Sequence, residues 1–211
     1  MIEVIYRNND LVVVVKPYGA LSEYDPKREN VPAMIAEALG IAHDSVYTVH
    51  RLDATTEGLM VYALNKSSAA ALSRAIDNDE FKKKYVAFIT RDPSLGDSGE
   101  MSDNLYFDRN AQKSYVVSDN KKNAKKVLLA YHLGDAMELN GHIITPAFIE
   151  LKTGRTHQIR AQFSSRKSPL VGDGKYGSRI NHKGPSLFSV SVSFPYKGEI
   201  MTFEREADFS F

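Results

Sequence analysis

Three stretches of the chain place groups able to attack, donate or accept close together in sequence. The first is His50-Arg51-Leu52-Asp53, followed by the small and hydroxylic run Ala54-Thr55-Thr56 and then Glu57-Gly58. An aspartate two residues after an arginine is either a screened surface ion pair or a carboxylate held ionised by a cation, ready to act as nucleophile or base. The second is Thr153-Gly154-Arg155-Thr156-His157-Gln158-Ile159-Arg160, a glycine turn leading into a short amphipathic segment. It puts His157, Arg160 and Ser164 near one helical face and Ile159 and Phe163 near another, so its cationic face is either merely solvated or a binding surface. The third is Lys82-Lys83-Lys84-Tyr85-Val86-Ala87-Phe88. There Tyr85 is a core aromatic on a strand or a platform on which a base can stack.

Other chemistries are excluded or disfavoured. With no cysteine there is no disulfide framework, thiolate metal site or cysteine nucleophile. No Walker loop, dinucleotide fingerprint, HExxH or Gly-x-Ser-x-Gly elbow is present. The six histidines, at 43, 50, 132, 142, 157 and 182, never fall three or four residues apart, and no metal site is expected.

The elements that must hold these groups read as follows. Ile2 to Tyr6 and Leu11 to Val15 form a hairpin about Asn8-Asn9-Asp10. A helix runs from an Asn30 cap through Pro32 to a Gly40 stop. Val46 to Val49 and Leu59 to Leu64 are strands flanking the polar loop that carries Asp53. A helix over Ser67 to Ile76 is capped by Ser67 or Ser68. Strands follow at Tyr85 to Ile89, Ser114 to Val117, Lys126 to Leu133, Ile143 to Leu151 and Leu187 to Phe194, with Arg91 to Asp103 as a loop rich in Asp, Gly, Ser and Pro. Strands outnumber helices, without repeat or linker, so the expected fold is a single α+β domain over 1–211 around a mixed, mostly antiparallel sheet with flanking helices.

At 211 residues, 43% hydrophobic and 25% charged, the chain has a globular makeup. No secretory leader pattern and no span of roughly 18 apolar residues is visible, so a reducing, cytoplasmic setting is expected. Net charge is only +1, but the window from Lys152 to Lys183 holds eight basic residues against the single acid Asp173. That window is +7 and leaves −6 elsewhere, a distribution suited to local polyanion binding.

Taken in order, five motifs resemble the pseudouridine synthases, most closely the RluA-type, ribosomal-large-subunit branch. They are Lys16-Pro17-x-Gly19, His50-Arg51-Leu52-Asp53-x-x-Thr56-x-Gly58-Leu59, Lys83-x-Tyr85-x-Ala87, Gly154-Arg155-Thr156-His157-Gln158-Ile159-Arg160 and Pro169-Leu170-x-Gly172-Asp173-x-x-Tyr176-Gly177. The resemblance implies an isomerase that converts uridine in ribosomal or transfer RNA to pseudouridine, without cofactor or metal, acting as a monomer. It implies Asp53 as the catalytic carboxylate, Arg160 as the arginine that pairs with it, and Tyr85 as the residue stacking on the uracil. Arg51 matches the residue that holds a flipped nucleotide or fills its space. Lys16, His50, Lys83, Arg155, His157 and Leu170 are expected as substrate contacts or loop-ordering residues. Glu57 and Gln162 depart from the family, which often has serine or threonine at the first place and histidine at the second. No small S4 RNA-binding domain precedes Lys16, and the chain is expected to be the catalytic domain alone. The rival readings are a non-catalytic RNA-binding module and a hydrolase using Asp53 with His157. A binding module has no need of an aspartate aimed at a phosphate-rich ligand, and nothing in the sequence supplies the hydrolase with an oxyanion site or a water activator.

Overall fold

A computed structural model describes residues 2–207, which fall into two compact units, 2–83 with 188–207 and 84–187. In the first unit, β1 (Glu3–Arg7) and β2 (Leu11–Lys16) form the expected hairpin. Asn8 closes it, its side-chain oxygen accepting from the amides of Asp10 at 2.8 Å and Leu11 at 2.9 Å. The helix α1 (Val31–Leu39) starts at the Asn30 cap and stops at Gly40, whose φ of 65° is the left-handed conformation that glycine adopts cheaply. A short β3 (Tyr47–Thr48) and β4 (Glu57–Ala63) bracket the Asp53 loop.

The helix α2 (Lys66–Asp77) departs from expectation at its start, because its cap is Asn65 and neither serine. The Asn65 side chain accepts from the Ser68 amide at 2.9 Å, and the Ser68 hydroxyl is turned to the Asp10 carbonyl at 2.6 Å. β2 runs antiparallel to β4, and β11 (Leu187–Tyr196) joins β4 in parallel through Phe188↔Glu57 and Ser189↔Gly58. β12 (Glu199–Glu204) closes antiparallel on β11. α2 packs its Leu72 and Ala75 onto Leu11, Val13, Leu59, Val61, Phe81, Val192 and Phe194, the core of this unit.

The second unit sets β5 (Lys82–Ile89), β10 (His142–Leu151), β8 (Lys125–Leu133), β6 (Ser98–Asp108) and β7 (Lys113–Val117) in that order, with β9 (Met137–Leu139) on β10. The β10/β8, β8/β6 and β6/β7 pairs are antiparallel. β6 corrects the sequence reading, which placed a loop over Arg91 to Asp103. From Ser98 onward the chain pairs with β8, burying only Met101 and Leu105. The inward position between them is Asp103, whose carboxylate is consumed by Gln162 at 2.7 Å and Arg166 at 3.0 Å. A polar residue on the inner face, satisfied from a neighbouring helix, hides the alternation that marks a strand.

That helix is α3 (Gln158–Ser165), and it too differs from expectation. Its polar side faces inward, with Gln158, Arg160 and Gln162 all buried, and His157 is its cap at φ 55° and not a member of its face. The charge of the Lys152–Lys183 window shrinks accordingly. Lys152 is paired with Glu150, Arg160 with Asp173 and Arg166 with Asp103, leaving Arg155, Lys167, Lys175, Arg179 and Lys183 exposed.

Candidate active-site elements

In the first unit the Asp53 loop is tied down almost atom by atom. Lys16, at the end of β2, is fully buried, and its ammonium donates to the carbonyls of Pro17, Ala54 and Thr56, each at 2.9 Å. Burial pulls its pKa down to about 8, against the opposing pull of the Glu57 and Asp53 charges. Lys16 is therefore a loop clamp, the loop-ordering role of the two expected for it. On the other flank the Ser22 hydroxyl accepts from the Leu52 amide at 3.0 Å and donates to the Leu52 carbonyl at 2.8 Å. Gly19 donates its amide to Ala54 O at 2.8 Å, and Thr56 donates its own to Asp53 O at 2.9 Å. The half-buried Asp53 side chain is thus carried on a backbone in which the Leu52 amide and carbonyl, the carbonyls of Asp53, Ala54 and Thr56 and the Thr56 amide are all bonded.

His50 and Arg51 lead into the same loop with opposite fates. His50 is buried, its Nε2 accepting from the Val61 amide of β4 at 3.1 Å and its ring tilted on Phe81 at 5.0 Å. That acceptor role puts the ring proton on Nδ1, which finds no partner among the described residues. Burial, helped by the Lys83 charge, lowers the pKa of His50 to about 3, so the ring is neutral. His50 therefore anchors the loop to β4, in the loop-ordering role expected for it. Arg51 is exposed and reaches Glu23 at 3.2 Å, a pair in which both side chains remain largely in solvent. Lys83 is half-buried, 6.0 Å from the Phe81 ring centre, with its pKa lowered by burial against the Asp79 charge.

In the second unit Arg160 is the centre. Its Nε and Nη2 donate to Asp173 Oδ2 at 2.7 Å and Oδ1 at 2.8 Å, a buried bidentate pair, and its guanidinium lies 4.9 Å from the Tyr176 ring centre. The other flank of Tyr176 carries Lys113, 4.8 Å away. The Tyr176 hydroxyl accepts from the Ser114 amide at 2.7 Å and lies 3.1 Å from His157 Nδ1, so β7, the cap of α3 and the Gly174–Tyr176 turn meet at one phenol. Lys113 and Lys175 each donate to the other's neighbourhood, Lys113 to Lys175 O at 2.6 Å and Lys175 to Gln112 O at 2.7 Å. Gln162, the departure from the family pattern, is fully buried and donates to Met101 O at 2.9 Å as well as to Asp103, which ties α3 to β6.

The remaining expected residues fall as follows. Tyr85 is buried on β5. Leu170 is completely buried and bridged to Ile89, with Val171 donating its amide to Phe88 O at 2.8 Å. It braces the Gly172-Asp173 turn against β5. Arg155 stays exposed on the turn before α3, where its amide donates to Gln158 Oε1 at 3.2 Å and its carbonyl accepts from the Gln158 amide at 3.0 Å. Residue reasoning missed Ser22 and the roles of Tyr176 and Ser114. A lone serine gives no sequence signal, whereas Asp173 and Tyr176 lay in a motif whose spacing, three residues, was the available clue. No group of three His, Asp or Glu side chains placed to hold a metal ion occurs among the described residues.

The sequence profile of RNA pseudouridylate synthase matches residues 10–165, and the chain belongs to that family. An uncharacterized RNA pseudouridine synthase of Haemophilus influenzae is 30% identical over 92% of this chain and 83% of its own length. The dual-specificity RNA pseudouridine synthase RluA of Haemophilus ducreyi is 28% identical over 99% of this chain and 94% of its own. Among solved structures, the human RNA pseudouridylate synthase domain containing 1 superposes with a TM-score of 0.81 at 20% identity, covering 98% of this chain and 84% of that one, which establishes the fold.

Proposed function

We propose that this chain, acting over 1–211 as one catalytic domain in the cytoplasm, converts specific uridines of ribosomal or transfer RNA to pseudouridine, with Asp53 as the catalytic carboxylate. The observation that carries this reading is the clamp on the Asp53 loop, where Lys16 takes three carbonyls and Ser22 takes both backbone groups of Leu52. A binding module has no use for a carboxylate held at such cost in buried polar groups, whereas a reaction at the sugar needs its attacking group preorganised. The resemblance to the family assigns Tyr85 and Arg160 roles in the same chemistry. Arg51, exposed at the loop entrance, handles the nucleotide that leaves the stack, a displacement costing a few kcal/mol.

In the reaction the N1–C1′ bond breaks, the uracil turns, C5 bonds to C1′, and the hydrogen on C5 leaves as a proton while N1 gains one. RNA transcribed with uridine tritiated at C5 therefore reports turnover as tritium released to water. Wild-type protein is expected to release tritium from total ribosomal or transfer RNA, and Asp53→Asn to release none while its RNA affinity stays within a few-fold. A variant retaining more than a tenth of wild-type release removes Asp53 from the mechanism. The expectation of a metal-free reaction is checked in the same assay by EDTA, which should leave the rate unchanged.

A further inference from the structure

Ser22 leads, two residues on, to an aromatic pair that the synthase site as described does not use. Tyr24 is 46% exposed and lies face to face on His43, ring centres 4.1 Å apart and planes within 9°. An exposed tyrosine held flat by a second ring has lost the side-chain freedom that stacking a ligand would otherwise cost it. Beside it opens a cavity of about 540 Å³ lined by Tyr24, Asp25, Lys27, Arg28, Glu29 and Glu37 among others, and His43 is not part of its wall. The cavity therefore meets a part of the tyrosine that the histidine leaves uncovered.

The segment around this ring is fixed. Leu21 donates its amide to Glu29 O at 2.9 Å, and Asn30 donates to Asp25 O at 2.8 Å and Arg28 O at 2.9 Å while capping α1. Asp25 accepts from the Lys27 amide at 2.8 Å and from Arg28 at 3.2 Å. Ser22, two residues before Tyr24, grips Leu52, the residue before Asp53, so the platform's chain segment is bonded directly to the reactive loop. The charges of the wall then select the ligand. Three carboxylates against two cations do not hold a phosphate, but they accept the N–H edge of a base whose face is stacked on an aromatic ring.

We propose that Tyr24, backed by His43, forms a nucleobase subsite that takes an unpaired base of the substrate RNA neighbouring the uridine processed at Asp53. The proposal rests on the reading of the chain as an RNA uridine isomerase and adds to it that the substrate is single-stranded on this side of the target.

The experiment measures two things on the whole chain. With a single-stranded oligoribonucleotide carrying the fluorescent base 2-aminopurine beside a uridine, stacking on Tyr24 quenches the emission. Wild type and Tyr24→Phe are expected to quench it, and Tyr24→Leu and His43→Ala to quench less. In tritium release from total RNA, Tyr24→Leu is expected to raise KM about tenfold at unchanged kcat, with the salt dependence of binding unaltered because no phosphate contact is lost. Tyr24→Phe restores KM. Equal quenching and equal KM for wild type and Tyr24→Leu overturn the subsite while leaving the synthase standing. A flatter salt dependence in Tyr24→Leu overturns it as well, since the ring would then be serving a phosphate contact. Wild-type protein that quenches but releases no tritium overturns the synthase reading, and the quenching still reports the platform.

Discussion

Lys16 shows what a single residue contributes to the loop. Replacing it by methionine keeps the length and removes the donor from three buried carbonyls at once, each a group that is costly to leave unmade. Lys16→Met is expected to lose about 2–4 kcal/mol of stability and to lower the rate of tritium release at least tenfold, since the loop would no longer hold Asp53 in one place. Denaturant titration and the release assay check the two effects, and an unchanged pair of values removes the clamp from the mechanism. His50 supplies a pH test. Its folded pKa of about 3 lies below the ordinary 6.5, so between those values the unfolded chain binds a proton that the folded one refuses. Its contribution is complete above about pH 6.5 and falls as the pH drops, by at most about 1.4 kcal/mol per pH unit. His50→Gln should give a flatter stability curve between pH 6.5 and 4, and a wild-type curve no steeper than the variant's would count against the buried neutral ring. The motifs single out Asp53 and Arg160 as candidates. The fate of Lys16 and His50 was not legible, because a lysine or histidine in a polar stretch reads as a solvent-facing group until the carbonyls it satisfies are known.

The elements follow the same division. The β1–β2 hairpin, α1 with its asparagine and glycine ends, and most strands announce themselves because local chemistry and burial agree. β6 does not, since Asp103 sits on its inner face and is satisfied by Gln162 and Arg166, residues some 60 positions away. For α3 the inward turn of Arg160 depends on Asp173, again outside the helix. Periodicity cannot report a partner that arrives later in the chain. At the junction of β4 and β11, Gly58 has φ 117°, and a Cβ there would stand 2.3 Å from Ser189 O, a backbone atom that cannot swing aside. Gly58→Ala is therefore expected to force the parallel pair apart and to cost more than about 3 kcal/mol, read by thermal or denaturant unfolding. A loss below about 1 kcal/mol would mean that the strands yield easily at this point.

For the molecule as a whole, charge was the most misleading of the sequence signals. The window of eight basic residues is partly neutralised by Glu150, Asp103 and Asp173, which leaves five exposed cations. RNA binding should therefore weaken with salt at a log–log slope of about −0.7 per phosphate for single strands, amounting to roughly −3.5 if all five engage. Filter binding across a salt series checks this, and a flat response would take the window out of the binding surface. The fold class, by contrast, was legible from the balance of strands and helices. Conversely, the same ammonium that fixes the reactive loop holds it by main-chain oxygens, which every amino acid carries. The side chain at Ala54 can thus change while the ammonium keeps its hold on the main chain, so that what borders the aspartate can be retuned without rebuilding its support.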